Sequence, residues 1–466
     1  MAENGSHEQV DQVSLTFLVD KEKSRVLFAE AGNDFVDALF SFFTLPLGTI
    51  ARLVAEESNI EAVRFGSISS LYQSLKDLDQ QYLWSHTCKK ILLNPGNFME
   101  EYWQSMKLNI ADTVPKISYF FCENKACKIE NRSCVSFIKN QKCICGKLLK
   151  QETARILYQL NSFVKVTSTF IIFDDLNMMP NVVGTSLNLL QKLGVNDVGT
   201  IDKQTFNVSK KEVLDIFKLS LISKTPLTEF IFKREQFVGG LDPRNQLEFW
   251  IGDVMEPFDE MVVKVVRRKS NGQIMYVEAE EDFADFIFSF LIIPLGRVLH
   301  MLKGFSFLSC IDSLYKSMTE LSSDKGFRSS VVKDKLIKPT IQWEIQLRHQ
   351  ILPIHDHNLD RTNERVNFVD YKSPIAGGYV KSPLTIMVTD DLVVSPMSTI
   401  SGVSYLEKLK VPFNDVEERT VRICRKEGLS ILKASLTTTS ALTNGLNLYI
   451  IEQLMNEQRA LSIHKE

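Results

Sequence analysis

The sequence has no apolar run long enough to cross a lipid bilayer. Its uncharged apolar segment from Ala38 to Ala51 has 14 residues and contains Pro46 and Gly48, whereas a membrane-spanning helix needs about 20 apolar residues. The N-terminal residues are polar and acidic and lack the charged-then-apolar pattern of a signal peptide. We therefore expect an intracellular protein, cytoplasmic or nuclear, with no signal peptide and no membrane span.

Catalytic motifs are also lacking. The sequence has no glycine-rich phosphate-binding loop, no G-x-S-x-G nucleophile elbow and no H-E-x-x-H metal motif. One S-x-x-K match begins at Ser313, but Gln73 stands at the duplicated position of its lysine. The formal net charge of −3 gives no global attraction to nucleic acid or to an anionic membrane. Motifs and composition therefore assign no activity.

What the sequence does contain is an internal duplication. The segment DFVDALFSFFTLPLGTIARL, from Asp34, returns as DFADFIFSFLIIPLGRVLHM, from Asp282, with nine of twenty positions identical. Three further blocks recur in the same order, namely FGSISSLYQSLKDL with LSCIDSLYKSMTEL, TFIIFDDLNMMP with TIMVTDDLVVSP, and EVLDIFKLSL with EGLSILKASL. Blocks repeated in one order predict two copies of one fold.

The arrangement of these blocks predicts the domains and the fold class. We expect a disordered tail over 1–12, a first repeat domain over 13–232, a connector over 233–258, a second repeat domain over 259–450 and a C-terminal helix or tail over 451–466. Each repeat opens with two Val- and Leu-rich segments around a polar turn, which is typical of a strand hairpin. Hairpins that alternate with helices favour an α+β fold, with a mixed α/β arrangement as the alternative.

The first helix of each repeat should be buried. Phe35, Leu39 and Phe42 recur at i, i+4 and i+7, and other apolar residues cover a second face. Asn33 or Asp34 is placed to cap this helix. Pro46 should end this helix, and a second helix should start after a bend.

Several segments carry a family resemblance. The segments VDKEKSRVLFAEAGNDFVDALFSFFTLPLGTI, CICGKLL, and VTDDLVVSPMSTIS with LTTTSALTNGL resemble the plant family known as domain of unknown function 674. The resemblance extends from about Val13 to Leu446. It implies a plant intracellular protein built of repeated family domains, and it implies no activity.

A cysteine-rich loop over 122–146 is the sharpest local signal. It holds five of the eight cysteines, and disulfides are uncommon in a reducing cell interior. A C-x4-C pair, Cys122 and Cys127, and a C-x-C-G pair, Cys143 and Cys145, could set four thiolates around one structural Zn²⁺. The glycine that follows the second pair would permit a tight turn.

Other interpretations of this loop stay open. The spacing departs from the C-x2-C of common zinc knuckles, so Cys134 could replace Cys127 as a ligand. Free thiols and redox pairing are the alternatives to a metal. From Lys116 to Lys150 there are eight Lys or Arg against two Glu. These cations would offset the negative charge of a four-thiolate zinc site, or neutralise the phosphates of a nucleic acid.

The remaining polar motifs have simpler structural explanations. The Asp pairs 174–175 and 390–391 follow predicted strands and precede a proline, where turn and cap chemistry accounts for them. His349, His355 and His357 fit a surface loop. The charge run that ends at Ser270 fits a solvated hairpin turn, with phosphorylation of Ser270 as the alternative.

The duplication repeats no recognisable catalytic set, so we expect a non-enzymatic interaction or regulatory protein with an unidentified protein partner and a zinc-stabilised loop. Two alternatives stay open. One is an enzyme whose site lies in the cleft between the repeats. The other is nucleic-acid binding through the basic cysteine-rich loop.

Overall fold

The protein is described by a computed structural model. The residues that the structure describes are 11–97, 99, 106–110, 120–124, 126, 133–136, 139–143, 145–152, 162–182, 186–195, 197–232, 260–323, 326–339, 350–354, 366–368 and 378–463. The predicted connector over 233–258 and most of the predicted tail over 1–12 lie outside these residues. The domain boundaries therefore remain predictions.

The strands of the first half, in chain order, are β1 (Val13–Asp20), β2 (Arg25–Ala31), β3 (Phe120–Phe121), β4 (Ser133–Ser136), β5 (Gln151–Glu152), β6 (Phe170–Phe173), β7 (Met178–Pro180) and β8 (Ile201–Val208). In the described part of this half, five of them form an antiparallel sheet with the order β7-β6-β2-β1-β8. Leu15, Phe17 and Val19 on β1 are buried, because alternate residues of a strand share one face.

The helices of the first half are α1 (Asn33–Ser41), α2 (Leu47–Ala55), α3 (Gly66–Asp77), α4 (His86–Leu93), α5 (Ser186–Lys192), α6 (Lys210–Ile222) and α7 (Pro226–Phe232). The predicted bend is confirmed, since Pro46 is the N-cap of α2 and a 3-10 turn over Phe42–Thr44 separates α2 from α1. The predicted cap of α1 is wrong: Gly32 occupies the N-cap, and the Asp34 carboxylate instead binds Lys107 at 2.7 Å.

The second half repeats this order. Its strands are β9 (Met261–Arg268), β10 (Ile274–Ala279), β11 (Val366–Phe368), β12 (Ile386–Thr389), β13 (Val394–Pro396) and β14 (Val416–Ile423). Its helices are α8 (Glu281–Ser289), α9 (Leu295–Met301), α10 (Ser309–Glu320), α11 (Ser330–Ile337), α12 (Thr399–Lys408), α13 (Arg425–Thr437) and α14 (Ala441–Ile463). The second antiparallel sheet has the order β13-β12-β10-β9-β14, which matches the first strand for strand. The α+β fold with two tandem copies is confirmed.

The two halves meet through reciprocal contacts. Pro46 and Pro294, which are equivalent in the two copies, form an antiparallel bridge. The backbone N–H of Leu47 donates to the carbonyl of Ile293 at 3.0 Å, and the N–H of Leu295 donates to Leu45 at 2.9 Å. Each contact has its mirror in the other copy, as expected across a twofold axis.

Each half also has a helix that packs on a helix of the other half. Helix α3 of the first half packs on α13 of the second, and α10 of the second packs on α6 of the first. The Ser67 hydroxyl donates to the carbonyl of Thr438 at 2.7 Å, and the equivalent thiol of Cys310 donates to Ser223 at 3.1 Å. We call α3 and α10, each of which packs on a helix of the other copy, the exchanged helices.

Because of this exchange, buried apolar residues of both halves form one continuous cluster. Phe42 and Phe290, at equivalent positions, are fully buried as expected. The ring of Phe42 lies 4.3 Å from that of Phe217, centroid to centroid. Along the described residues, side chains from both copies pack together at the interface between them.

A third, smaller sheet lies apart from the duplicated ones. Its order is β11-β4-β3-β5. The first half supplies β4, from the cysteine-rich loop, and the flanking β3 and β5, and the second half supplies β11. Strand β11 pairs parallel with β4, with Val366 opposite Ser133. The divergent segments of the two copies therefore come together. Among the described residues, no helix has the length and apolar character required to span a membrane.

Candidate metal centre

The cysteine-rich segment ends in a short hairpin that carries two of its thiols. Lys142 and Leu148 form an antiparallel bridge, and the N–H of Cys143 donates to the carbonyl of Lys147 at 2.7 Å. Gly146 closes the turn at φ +82°, where any other residue would be strained. The C-x-C-G spacing folds here as the tight turn that the sequence predicted.

Three thiols meet beside this turn. Cys122, which directly follows β3, joins Cys143 and Cys145, and the three Sγ atoms lie within 4.8 Å of one another. The Sγ atoms of Cys122 and Cys145 are 3.5 Å apart, well beyond the roughly 2.0 Å of a disulfide bond. Two thiolates on a tetrahedral zinc with bonds of about 2.3 Å lie about 3.8 Å apart. The cluster could therefore hold a metal ion.

Local packing and hydrogen bonds support the cluster. Phe120 and Leu149 pack with the buried Cys122 and Cys143 in a small apolar core of their own. Cys145 is exposed. A backbone hydrogen bond from Lys147 is the largest influence that lowers the pKa of Cys145 to about 6, with contributions from the neighbouring thiols. A thiol with this pKa is mostly thiolate at neutral pH, which is the form that binds metals.

The position of the fourth predicted ligand, Cys127, is not described. Cys127 lies outside the described residues, and Cys134 lies in β4, where its side chain is not described. Three of the four predicted ligands therefore converge, and the complete four-thiolate set remains a prediction. The histidines at 349, 355 and 357 also lie outside the described residues.

The duplicated Asp pairs have structural roles. The Asp174 carboxylate accepts the backbone N–H of Thr228 at 2.8 Å and its hydroxyl at 2.5 Å. Asp390 binds Thr443 in the same way, at 2.7 Å and 2.8 Å. Each pair thus anchors the start of the last helix of its copy to a strand end. This long-range role differs from the local turn and cap chemistry that the sequence predicted. Asp175 does make a local turn, because its carboxylate accepts the N–H of Asn177 at 3.0 Å.

The charged hairpin turn of the second copy is also explained. The Ser270 N–H and hydroxyl both donate to the Asp415 carboxylate, at 2.9 Å and 2.8 Å. Arg267 pairs with Glu417 at 2.6 Å. These contacts tie the turn to the start of β14 and account for its polar residues structurally.

Sequence reasoning missed four buried polar residues, in two duplicated pairs. Asp37 and Asp285 are one pair, and Lys218 and Lys433 are the other. The Lys218 ammonium donates to the Glu56 carbonyl and to the Ser58 hydroxyl. The Lys433 ammonium lies 3.8 Å from the centroid of the Phe307 ring. Each pair has the same residue type at equivalent positions of the two copies, within blocks that are otherwise mostly apolar. That identity is the signal that could have found them.

No curated protein and no solved structure gives a significant match to the chain. A family model covers the first copy, the cysteine-rich loop and most of the second copy. It is described as Protein of unknown function (DUF674) and matches residues 9–427, so the chain belongs to that family.

Proposed function

We propose that this protein is a non-enzymatic interaction or regulatory protein whose cysteine-rich segment is held by a structural Zn²⁺. The ligands would be Cys122, Cys127, Cys143 and Cys145. The observation that carries the proposal is the convergence of three thiols at the edge of a small sheet that the duplicated core does not include. A site with four protein ligands is closed to substrate, so this zinc would stabilise structure.

The uses of the duplicated polar residues support a role without catalysis. Asp174 and Asp390 anchor helices, Asp37 binds backbone N–H groups, and Lys218 binds a carbonyl at the end of α2. These residues, which are retained in both copies, thus serve the fold.

The compartment belongs to the same proposal. The described cysteines whose state is known, Cys88, Cys122, Cys143, Cys145, Cys310 and Cys424, are free thiols. Free thiols suit a reducing interior. Together with the resemblance to a plant family, this favours action inside a plant cell, in the cytoplasm or the nucleus.

Metal analysis tests the zinc site. Protein purified without added metal should carry about one Zn²⁺ per chain, measured by plasma mass spectrometry. Cys143→Ser and Cys145→Ser should each release it, because metal binding needs the complete ligand set. Cys127→Ser should do the same, and Cys134→Ser is the matched control that keeps the metal. Native protein free of metal would refute the site. Loss of zinc from Cys134→Ser, with zinc retained by Cys127→Ser, would make Cys134 the fourth ligand.

Affinity purification tests the interaction role. Native full-length protein should recover a specific protein from plant extract, and the Cys143→Ser, Cys145→Ser double variant should recover less of it. Recovery of no specific protein in replicate experiments would count against the proposal, whatever the metal analysis shows.

A further inference from the structure

The outer face of the cysteine hairpin is basic and exposed. Lys142 and Leu148 are bridged partners, so their side chains share one face, and Lys150 lies two residues further along the same strand. Cys143 and Leu149 point to the opposite, buried face. We call Lys142, Lys147, Leu148 and Lys150 the lysine face, with Lys147 at the tip beside the turn. All four side chains are exposed.

Nothing in the described part of the protein neutralises this face. None of its lysines forms an ion pair or a side-chain hydrogen bond with a described residue. Some other lysines are paired, as Lys107 is with Asp34 and Lys264 with Glu278 and Glu418. Within the part of the chain that the structure describes, the lysine face is therefore a local cluster of positive charge without an ion-pair partner, on a chain of net charge −3.

From this arrangement we infer that the lysine face binds an acidic segment of a partner protein that also presents an apolar side chain. The lysines would pair with carboxylates, and Leu148, which is 38% exposed between them, would contact the apolar group. Charge complementarity of this kind selects partners and speeds their association. The inference deepens the proposed interaction function and rests on it.

The composition of the hairpin favours a protein over a nucleic acid. Residues 139–152 contain neither arginine nor an aromatic residue, whereas single-stranded nucleic acids are usually bound by aromatic side chains that stack on bases. A short acidic segment with an apolar residue fits the lysine face better.

A binding assay on the full-length, metal-loaded protein tests this. The probes are a fluorescein-labelled peptide rich in Glu and Leu and a single-stranded DNA of equal charge, followed by fluorescence anisotropy. The triple variant Lys142→Gln, Lys147→Gln, Lys150→Gln should bind the peptide roughly tenfold more weakly, and added salt should weaken native binding. Leu148→Asn should also weaken it. The matched control changes the exposed Lys224, Lys316 and Lys408 to Gln and should bind as the native protein does.

Equal peptide binding by the triple variant and its control would overturn the inference. Tighter, lysine-dependent binding of the DNA would overturn it in favour of a nucleic acid. Metal content of every variant is measured in parallel, so a failed zinc site and a failed lysine face give different results. Lysine-dependent peptide binding by protein that holds no metal would refute the zinc proposal and still support this inference.

Discussion

Asp37 and Asp285 hold equivalent places in α1 and α8, and both are buried. One oxygen of Asp37 accepts the backbone N–H groups of Phe163 and Val164, at 2.9 Å and 3.0 Å. Asp285 accepts the N–H groups of residues 379 and 380, at 2.8 Å and 2.9 Å. Each carboxyl group thus fixes the point where the divergent segment of its copy returns to the common fold.

These two carboxyl groups should make stability depend on pH. Burial is the largest influence that raises the pKa of Asp37 to about 7 and that of Asp285 to about 8, from an ordinary value of 3.8. The folded protein therefore holds these protons more tightly than the unfolded chain does. The resulting stabilisation is complete below the ordinary pKa and is lost as the pH rises through the folded values.

Asp285→Asn should flatten that dependence, because the amide oxygen can still accept both N–H groups and does not titrate. Between about pH 5 and about pH 8, the free energy of unfolding of the native protein should fall by roughly 3 kcal/mol more than that of the variant. Asp37→Asn should act in the same direction, with the effect ending nearer neutrality. Denaturant unfolding at several pH values measures this, and parallel pH profiles for native protein and variants would contradict it.

Gly66 is a second residue with a sharp expectation. It begins α3 at φ +46°, and a Cβ placed there would lie 2.3 Å from the carbonyl oxygen of Ser435 on α13 of the second copy. Gly66→Ala should destabilise the protein by about 2–4 kcal/mol, because it combines backbone strain with overpacking. Ser309 is the equivalent residue in the second copy and is exposed, so Ser309→Ala should cost less than about 0.5 kcal/mol. Similar unfolding midpoints for both variants would show that α3 and α13 do not approach so closely.

At the scale of elements, sequence reasoning was most successful where local chemistry decides the structure. The repeated hairpins, the bend at Pro46 and the tight turn at Gly146 follow from strand alternation, the proline ring and the φ freedom of glycine. The N-cap of α1 was missed because the helix begins at Asn33, so Asn33 and Asp34 lie in its first turn and Gly32 is the cap. Local patterns locate helix ends only to within a residue or two.

The exchange of α3 and α10 could not be predicted from periodicity. A helical pattern identifies an apolar face, but it does not say which sheet or which copy covers that face. The same limit applies to β11, which pairs with a strand more than 200 residues earlier in the chain. For the candidate site, the convergence of Cys122 with Cys143 and Cys145 was predicted from spacing, whereas the contribution of the second copy to the same sheet was not.

Because β11 pairs with β4, removal of the metal should affect residues beyond the cysteine-rich loop. Chelation of zinc should increase backbone hydrogen exchange in β3 and β4 and also at Val366–Phe368, because these strands share one ladder. The strands β9 and β14 belong to the duplicated core and should keep their protection, which makes them the internal control. Exchange that changes only between residues 120 and 152 would show that β11 does not depend on the metal-bound segment.

At the scale of the whole molecule, the copies are related as the subunits of a helix-exchanged dimer would be. Bridges between equivalent positions, such as Pro46 with Pro294, and reciprocal side-chain contacts recur throughout the interface. Ser317 accepts the backbone N–H of Met178 at 3.0 Å, and the equivalent Ser74 accepts that of Val394 at 3.3 Å. One strand of each sheet is thus bonded to a helix of the other copy. Stability should therefore belong to the pair of copies.

Separate expression of the halves tests this. The chains 1–232 and 259–466 should each be unfolded or aggregated alone, because each would expose the apolar surfaces that α3 or α10 of the other copy covers. Expressed together, they should assemble into a complex of one of each, seen by size-exclusion chromatography with light scattering. Gly66→Ala in the first chain should weaken that complex, since Gly66 lies against α13 of the second, and Ser309→Ala in the second chain is the matched control. Two halves that fold as stable monomers and ignore each other would mean that the exchanged helices add little to the stability of either copy.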